Sequence, residues 1–154
     1  MAAREDIIRG LEFTISEGRR VSALFTDAHW RRTASGGWTP KQVFADLAAT
    51  AESVPRFAAM LSQAPAGTNL RAAIDIDAMN AQAVAAREGA SVSEVLSAFE
   101  AGYQNLIAFV RSVPQAQLDA TAPCGAEPAS VSDIMATAVV LHALHHTYEA
   151  ATAS

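Results

Sequence analysis

Three of the four histidines fall within five residues near the end of the chain, in the stretch LHALHHTYEA. His142 and His146 are four positions apart, which puts both on one face of a helix. His145 adjoins them, and Glu149 follows on the same side. At that spacing the Cβ atoms lie about 5–6 Å apart. Two imidazoles so placed reach one divalent ion at about 2.0–2.1 Å. At about 100° per residue, Met135, Ala138, His142 and Glu149 fall within roughly one quarter of a helical wheel, the face expected to point into the core. A polar cluster on a buried face is costly unless something satisfies it. A divalent metal would do so, and so would a buried hydrogen-bond network. The residues alone leave both open.

The element that carries this cluster is predicted to run from Val131 to Ala150. Ser130 is its N-cap, and Asp133 in its first turn favours the helix dipole. A second helix opens at Thr39-Pro40, with Thr39 as N-cap, Pro40 in the first helical position and Gln42 closing a capping box. Its apolar stripe is Val43, Leu47, Thr50, Val54, Phe57, Ala58 and Leu61, ending near Ala64-Pro65. Asp46 lies about 60–80° from the centre of that stripe, at the edge of the buried face.

Ahead of it, Ile7, Ile8, Leu11, Ile15, Leu24 and Phe25 recur at threes and fours and predict a helix from Arg4 to Ala28. Gly18 marks a bend or break in it. His29 reads as a capping or surface histidine, and Arg19-Arg20 and Arg31-Arg32 as a solvated face and loop. A shorter helix is expected over Ala72–Glu88, with Asp77 as a possible cap. Ser91 and Glu94 form a capping box for another, whose apolar positions run from Val95 to Val110 and which Pro114 stops. Gln115 to Ala129 reads as a loop. No segment reads as a strand. The pattern predicts an all-α chain, a four-helix bundle whose long link between the second and third main helices crosses over.

With 154 residues and no composition shift, one domain spanning residues 1–154 is expected. The net charge of −5 argues against non-specific nucleic-acid binding and against a basic membrane surface. No apolar run reaches the roughly 20 residues of a membrane span. The opening MAAREDIIRG lacks the apolar centre of a signal peptide. One cysteine, Cys124, forbids an internal disulfide, so a cytoplasmic setting is expected. It lies in the loop APCGAEP without a basic neighbour to activate it.

The phrase GWTPKQVFADLAAT resembles the second-helix signature of the DinB/YfiT-like bundle superfamily, and LHALHHTYEA resembles its last helix. The segment DIDAMNAQAVAAREGASVSEVLSAFEAGYQNL is similar to the N-terminal domain of the mycothiol-dependent maleylpyruvate isomerase branch. The resemblance covers nearly the whole chain and implies a DinB-like four-helix bundle. In that superfamily three histidines typically hold zinc or nickel, with positions left open for water or a thiol. The resemblance places two ligands on His142 and His146 and the first on Asp46, where the family usually has histidine. Two histidines and one carboxylate still form an open metal triad, suited to zinc, nickel or iron. Glu149 is then a partner for a ligand imidazole or a general base, and His145 orients the site from the side.

The implied function is that of a metal-dependent enzyme using mycothiol, bacillithiol or a similar small thiol in transfer or isomerisation. Two alternatives stand beside it: a non-catalytic bundle that binds a small molecule or metal, and a homodimeric interaction protein with a degenerate site. A pocket formed by Trp38, Phe44 and Tyr148 beside His142 would favour the enzyme or the binding bundle over the interaction protein. A homodimer is expected from the family and from the apolar content.

Overall fold

A computed structural model describes residues 2–34, 36–63, 65, 75–123 and 128–153. The main helices are α1 (Arg4–Ser22), α2 (Pro40–Gln63), α3 (Ile76–Ala85) and α4 (Val92–Ser112). After a one-turn helix α5 (Gln115–Leu118) and two short strands, β1 (Thr121–Pro123) and β2 (Pro128–Ser130), the chain enters its last helix. That helix begins as α6 (Val131–Ile134), passes through a π-helical segment (Met135–Leu141) and ends as α7 (His142–Ala151).

Side-chain pairings fix the directions. The Arg4 guanidinium near the start of α1 donates to the Val113 carbonyl at 2.7 Å, while Arg19 near its end meets Glu100 at 2.5 Å, so α1 and α4 are antiparallel. Phe44 meets Phe99 edge-on at 5.2 Å, and Gly102 lies against Ala48 and Ala51 further along both helices. Helices α2 and α4 therefore run the same way. Parallel neighbours cannot be joined by a tight turn, so the chain must cross back between them, carrying α3. The Lys41 ammonium anchors that return, donating to the carbonyls of Glu88 and Ala90 at 2.8 and 2.9 Å. Gly10 packs on Val140 and Glu17 on Tyr148, so the last helix runs parallel to α1. The result is the expected four-helix bundle with a crossover connection. Phe44, Leu47, Phe99, Tyr103, Leu106 and Met135 are fully buried at its centre.

The capping chemistry appears as its residue types require. Thr39 and Gln42 exchange hydrogen bonds at the start of α2. Ser91 with Glu94, and Ser130 with Asp133, form complete capping boxes. Four local expectations are corrected. α1 stops at Ser22 rather than Ala28, because the Thr26 hydroxyl accepts from the His29 amide and turns the chain into a short 3-10 helix over His29–Arg31. α3 is capped by Asp75, not Asp77: its side chain accepts from the Ala78 amide. The expected start of that helix at Ala72 lies outside the described residues. Within the expected loop, β1 and β2 pair antiparallel, Thr121 opposite Ser130. Three-residue strands bounded by proline are too short to show a period. Cys124 lies outside the described residues.

Gly18 neither bends nor breaks α1. A Cβ there would sit 2.6 Å from Phe99 Cε1 and 2.8 Å from its Cζ, so the glycine lets α1 close on the aromatic core. Gly18→Ala gains about 1 kcal/mol of helix propensity but forces a fully buried ring to move, at about 1–3 kcal/mol. Thermal unfolding should show a lower midpoint for Gly18→Ala. Gly89→Ala, where an added Cβ meets open space, should show none.

Candidate metal centre

The last helix does not present the stripe that a uniform wheel assigns to it. Met135 is buried, but Ala138 is exposed, and His142 and Glu149 are only half-buried. The buried line continues instead through Val139, Val140, Ala143, Thr147 and Ala150. The cause is the π-helical segment. Its hydrogen bonds close one residue later than those of an α-helix, so each residue beyond it lies at a different angle. His142, His146 and Glu149 thus flank the buried line rather than forming it.

Helix α2 supplies the other half of the site. Asp46 is deeper than its edge position implies, at 3 % exposure, and its Oδ1 finds no hydrogen-bond partner. Burial raises its pKa, and the nearby His146 opposes that shift. His142 Nδ1 is likewise buried without a partner. Burial, then the charges of His146 and His145, hold the His142 imidazole down to about 4, with Glu149 acting the other way. His142 is therefore neutral near pH 7, as a metal ligand must be. The His142 and His146 rings meet edge-on, 4.3 Å between centroids.

Glu149 gathers the remaining histidines. Its Oε2 lies 2.5 Å from His146 Nδ1 and 3.7 Å from His145 Nε2. Candidate ligand atoms of His145, His146 and Glu149 all lie within 4.8 Å of one another. Among the described residues Asp46, His142 and His146 do not form a group that tight. Asp46 and His146 interact as charges across the α2–α7 contact. The residues nevertheless suit a divalent cation: a buried carboxylate oxygen and a buried imidazole nitrogen are both without partners.

The three aromatic residues expected beside His142 separate. Phe44 is sealed in the core, in contact with Trp30 and Phe99. Trp38 lines a cavity of about 390 Å³ with Gln42, Ala45, Val84 and Arg87. Tyr148 donates its hydroxyl to Glu17 at 2.6 Å. His29 ties the far end of α7, its Nε2 lying 2.8 Å from the Ala150 carbonyl. The Glu17 contact was not legible in the sequence. Glu17 and Arg20 show the spacing of a helical ion pair, but only the packing of α1 on α7 adds Tyr148.

A family model of the DinB superfamily matches residues 11–150. The chain belongs to that superfamily. Among solved structures it is similar to YfiT from Bacillus subtilis, at 21 % identity and a TM-score of 0.68, covering 95 % of this chain and 82 % of that one. YfiT is described as a probable metal-dependent hydrolase with an unusual four-helix bundle topology. No curated protein matches the chain.

The Glu17 cluster holds α7 in the rotation that the π segment sets. Arg20, then Tyr148, lower the Glu17 carboxyl from 4.5 to about 2. Its contribution to stability is thus complete above pH 4.5 and is lost as pH falls toward 2. Thermal midpoints measured from pH 6 to pH 2 should fall less steeply through that window for Glu17→Gln than for the wild type.

Proposed function

We propose that this member of the DinB superfamily is a metal-dependent enzyme in which Asp46, His142 and His146 hold a divalent cation, zinc or nickel first and iron as a further fit. The reading rests on one observation: Asp46 Oδ1 and His142 Nδ1 are buried and without partners on facing helices. A neutral protein core gives no reason to keep a carboxylate there, whereas a cation makes its charge an asset.

A bound divalent cation would supply Lewis acidity, lowering the pKa of a thiol or water that it holds. The chain's own groups prepare for this. Glu149 accepts the Nδ1 proton of His146, which fixes the tautomer and leaves Nε2 as the ligand atom. Burial keeps the His142 imidazole unprotonated. Asp46 brings the negative charge that the imidazoles lack. His145, largely exposed and 3.7 Å from Glu149, links that carboxylate to solvent and can relay a proton to it.

The substrate class follows the family resemblance: a low-molecular-weight thiol such as mycothiol or bacillithiol, in a transfer or isomerisation. A second reading takes water as the nucleophile, and the description of YfiT as a probable hydrolase favours it.

Metal content of untagged protein, and competition of zinc and nickel against a chromophoric chelator, test the centre. Asp46→Ala and His142→Ala should each weaken zinc by more than the roughly 10–100-fold that losing an outer-shell partner costs. Asp46→His should tighten it, because imidazole is a softer ligand than carboxylate. Glu149→Gln should weaken zinc by about 10–100-fold while leaving the fold intact. Equal binding by wild type and all four variants would refute the centre. With zinc bound, turnover of a thiol conjugate that depends on added thiol supports transfer, whereas turnover of an ester without thiol supports hydrolysis.

A further inference from the structure

Tyr103 on α4 is fully buried, yet its hydroxyl has no hydrogen-bond partner. A phenol with nothing to bond is a poor choice for a core position, since phenylalanine fills nearly the same space without a polar atom to desolvate. Its neighbours account for the ring: Phe99 packs on it at 4.8 Å. They do not account for the oxygen.

The ring's surroundings are set by a close approach of α4 to α2. Gly102 lets α4 settle on α2, where an added Cβ would meet the Ala51 Cβ at 3.2 Å and the Ala48 carbonyl at 3.4 Å. Phe44 and Phe99 pair one turn earlier. Tyr103 therefore stands against the turn of α2 that carries Asp46. Burial first, and then the charge of Asp46, raises the pKa of the phenol.

An ionised carboxylate offers about four lone-pair positions and no donor of its own. A cation engages only part of that capacity, and in a buried site the remainder needs donors. Thr147 on α7 also has a buried hydroxyl without a partner. A helical threonine can turn its hydroxyl back to the carbonyl four residues earlier. A tyrosine ring holds its oxygen too far from its own backbone for that.

We infer that Tyr103 is a positioning residue of the Asp46 centre: its phenol donates to the Asp46 carboxylate when a cation holds that group ionised, and so orients the ligand oxygen. The inference rests on the proposed metal centre.

Tyr103→Phe keeps the ring and removes an oxygen that has no partner, so the variant folds. The test measures zinc affinity by chelator competition, and thermal unfolding of metal-free protein, for wild type, Tyr103→Phe, Asp46→Ala and the double variant. Zinc binding by Tyr103→Phe should be about tenfold weaker, at the lower end of the outer-shell range. Its metal-free midpoint should equal or exceed that of the wild type. In the Asp46→Ala background, Tyr103→Phe should change zinc affinity no further. Wild-type zinc affinity in Tyr103→Phe, or the same loss with and without Asp46, would overturn the inference while leaving the centre standing. A fall in the metal-free midpoint with unchanged zinc affinity would make Tyr103 merely structural. If Asp46→Ala and His142→Ala bind zinc like the wild type, the centre fails and the inference fails with it.

Discussion

A carboxylate inside a bundle of aromatic and aliphatic side chains is the constraint around which this protein is arranged. Asp46 lies on α2 between Ala45 and Leu47, both buried, with one oxygen unpartnered. Removing such a charge from water costs several kcal/mol unless a cation or hydrogen-bond donors compensate. Two polar groups nearby bear on that cost. His146 is close enough to oppose the rise in the Asp46 pKa, and Tyr103 feels the Asp46 charge from α4. Around them the centre of the bundle is apolar, with Phe44, Phe99 and Leu106 fully buried.

Groups on three helices come near that carboxylate, and each helix is held in its rotation by its contacts. The α2–α4 contact is set by small residues: a Cβ on Gly102 would crowd Ala51 and the Ala48 carbonyl, at 3.2 and 3.4 Å. Gly18 does the same for α1 beneath Phe99. The last helix is set differently. Its π-helical segment turns His142 and His146 off the line of buried residues, and contacts with α1 then hold it there. Val140 packs on Gly10, and Tyr148 bonds to the pair formed by buried Glu17 and exposed Arg20. A π segment leaves hydrogen bonds less well made than an α-helix does, and such segments recur at functional sites. Here it separates the side chains that fill the core from the histidines that flank it.

The three histidines also differ in environment. His142 is kept neutral by burial, and His146 is oriented by Glu149. His145 stays exposed beside the same carboxylate. Three histidines within five residues thereby take three different environments. Neighbouring positions on a helix point about 100° apart, so a short run can place one imidazole in solvent and two beside the core.

The sequence by itself determined the parts that depend on local chemistry. Apolar periodicity set the helices, capping residues set most of their starts, and the long link between α2 and α4 implied the crossover. The motifs around Asp46 and His142 were enough to indicate the family. Tertiary structure alone decided how the site is turned. A wheel assumes one angle per residue, and the π segment breaks that assumption between Met135 and Leu141, so Ala138 faces solvent where the core was expected. The depth of Asp46, the bond from Tyr148 to Glu17 and the unpartnered Tyr103 hydroxyl all arise where helices distant in sequence meet. Helix periodicity reports which face is apolar. It carries no information about which neighbour that face will meet, and the chemistry of this site lies in those meetings.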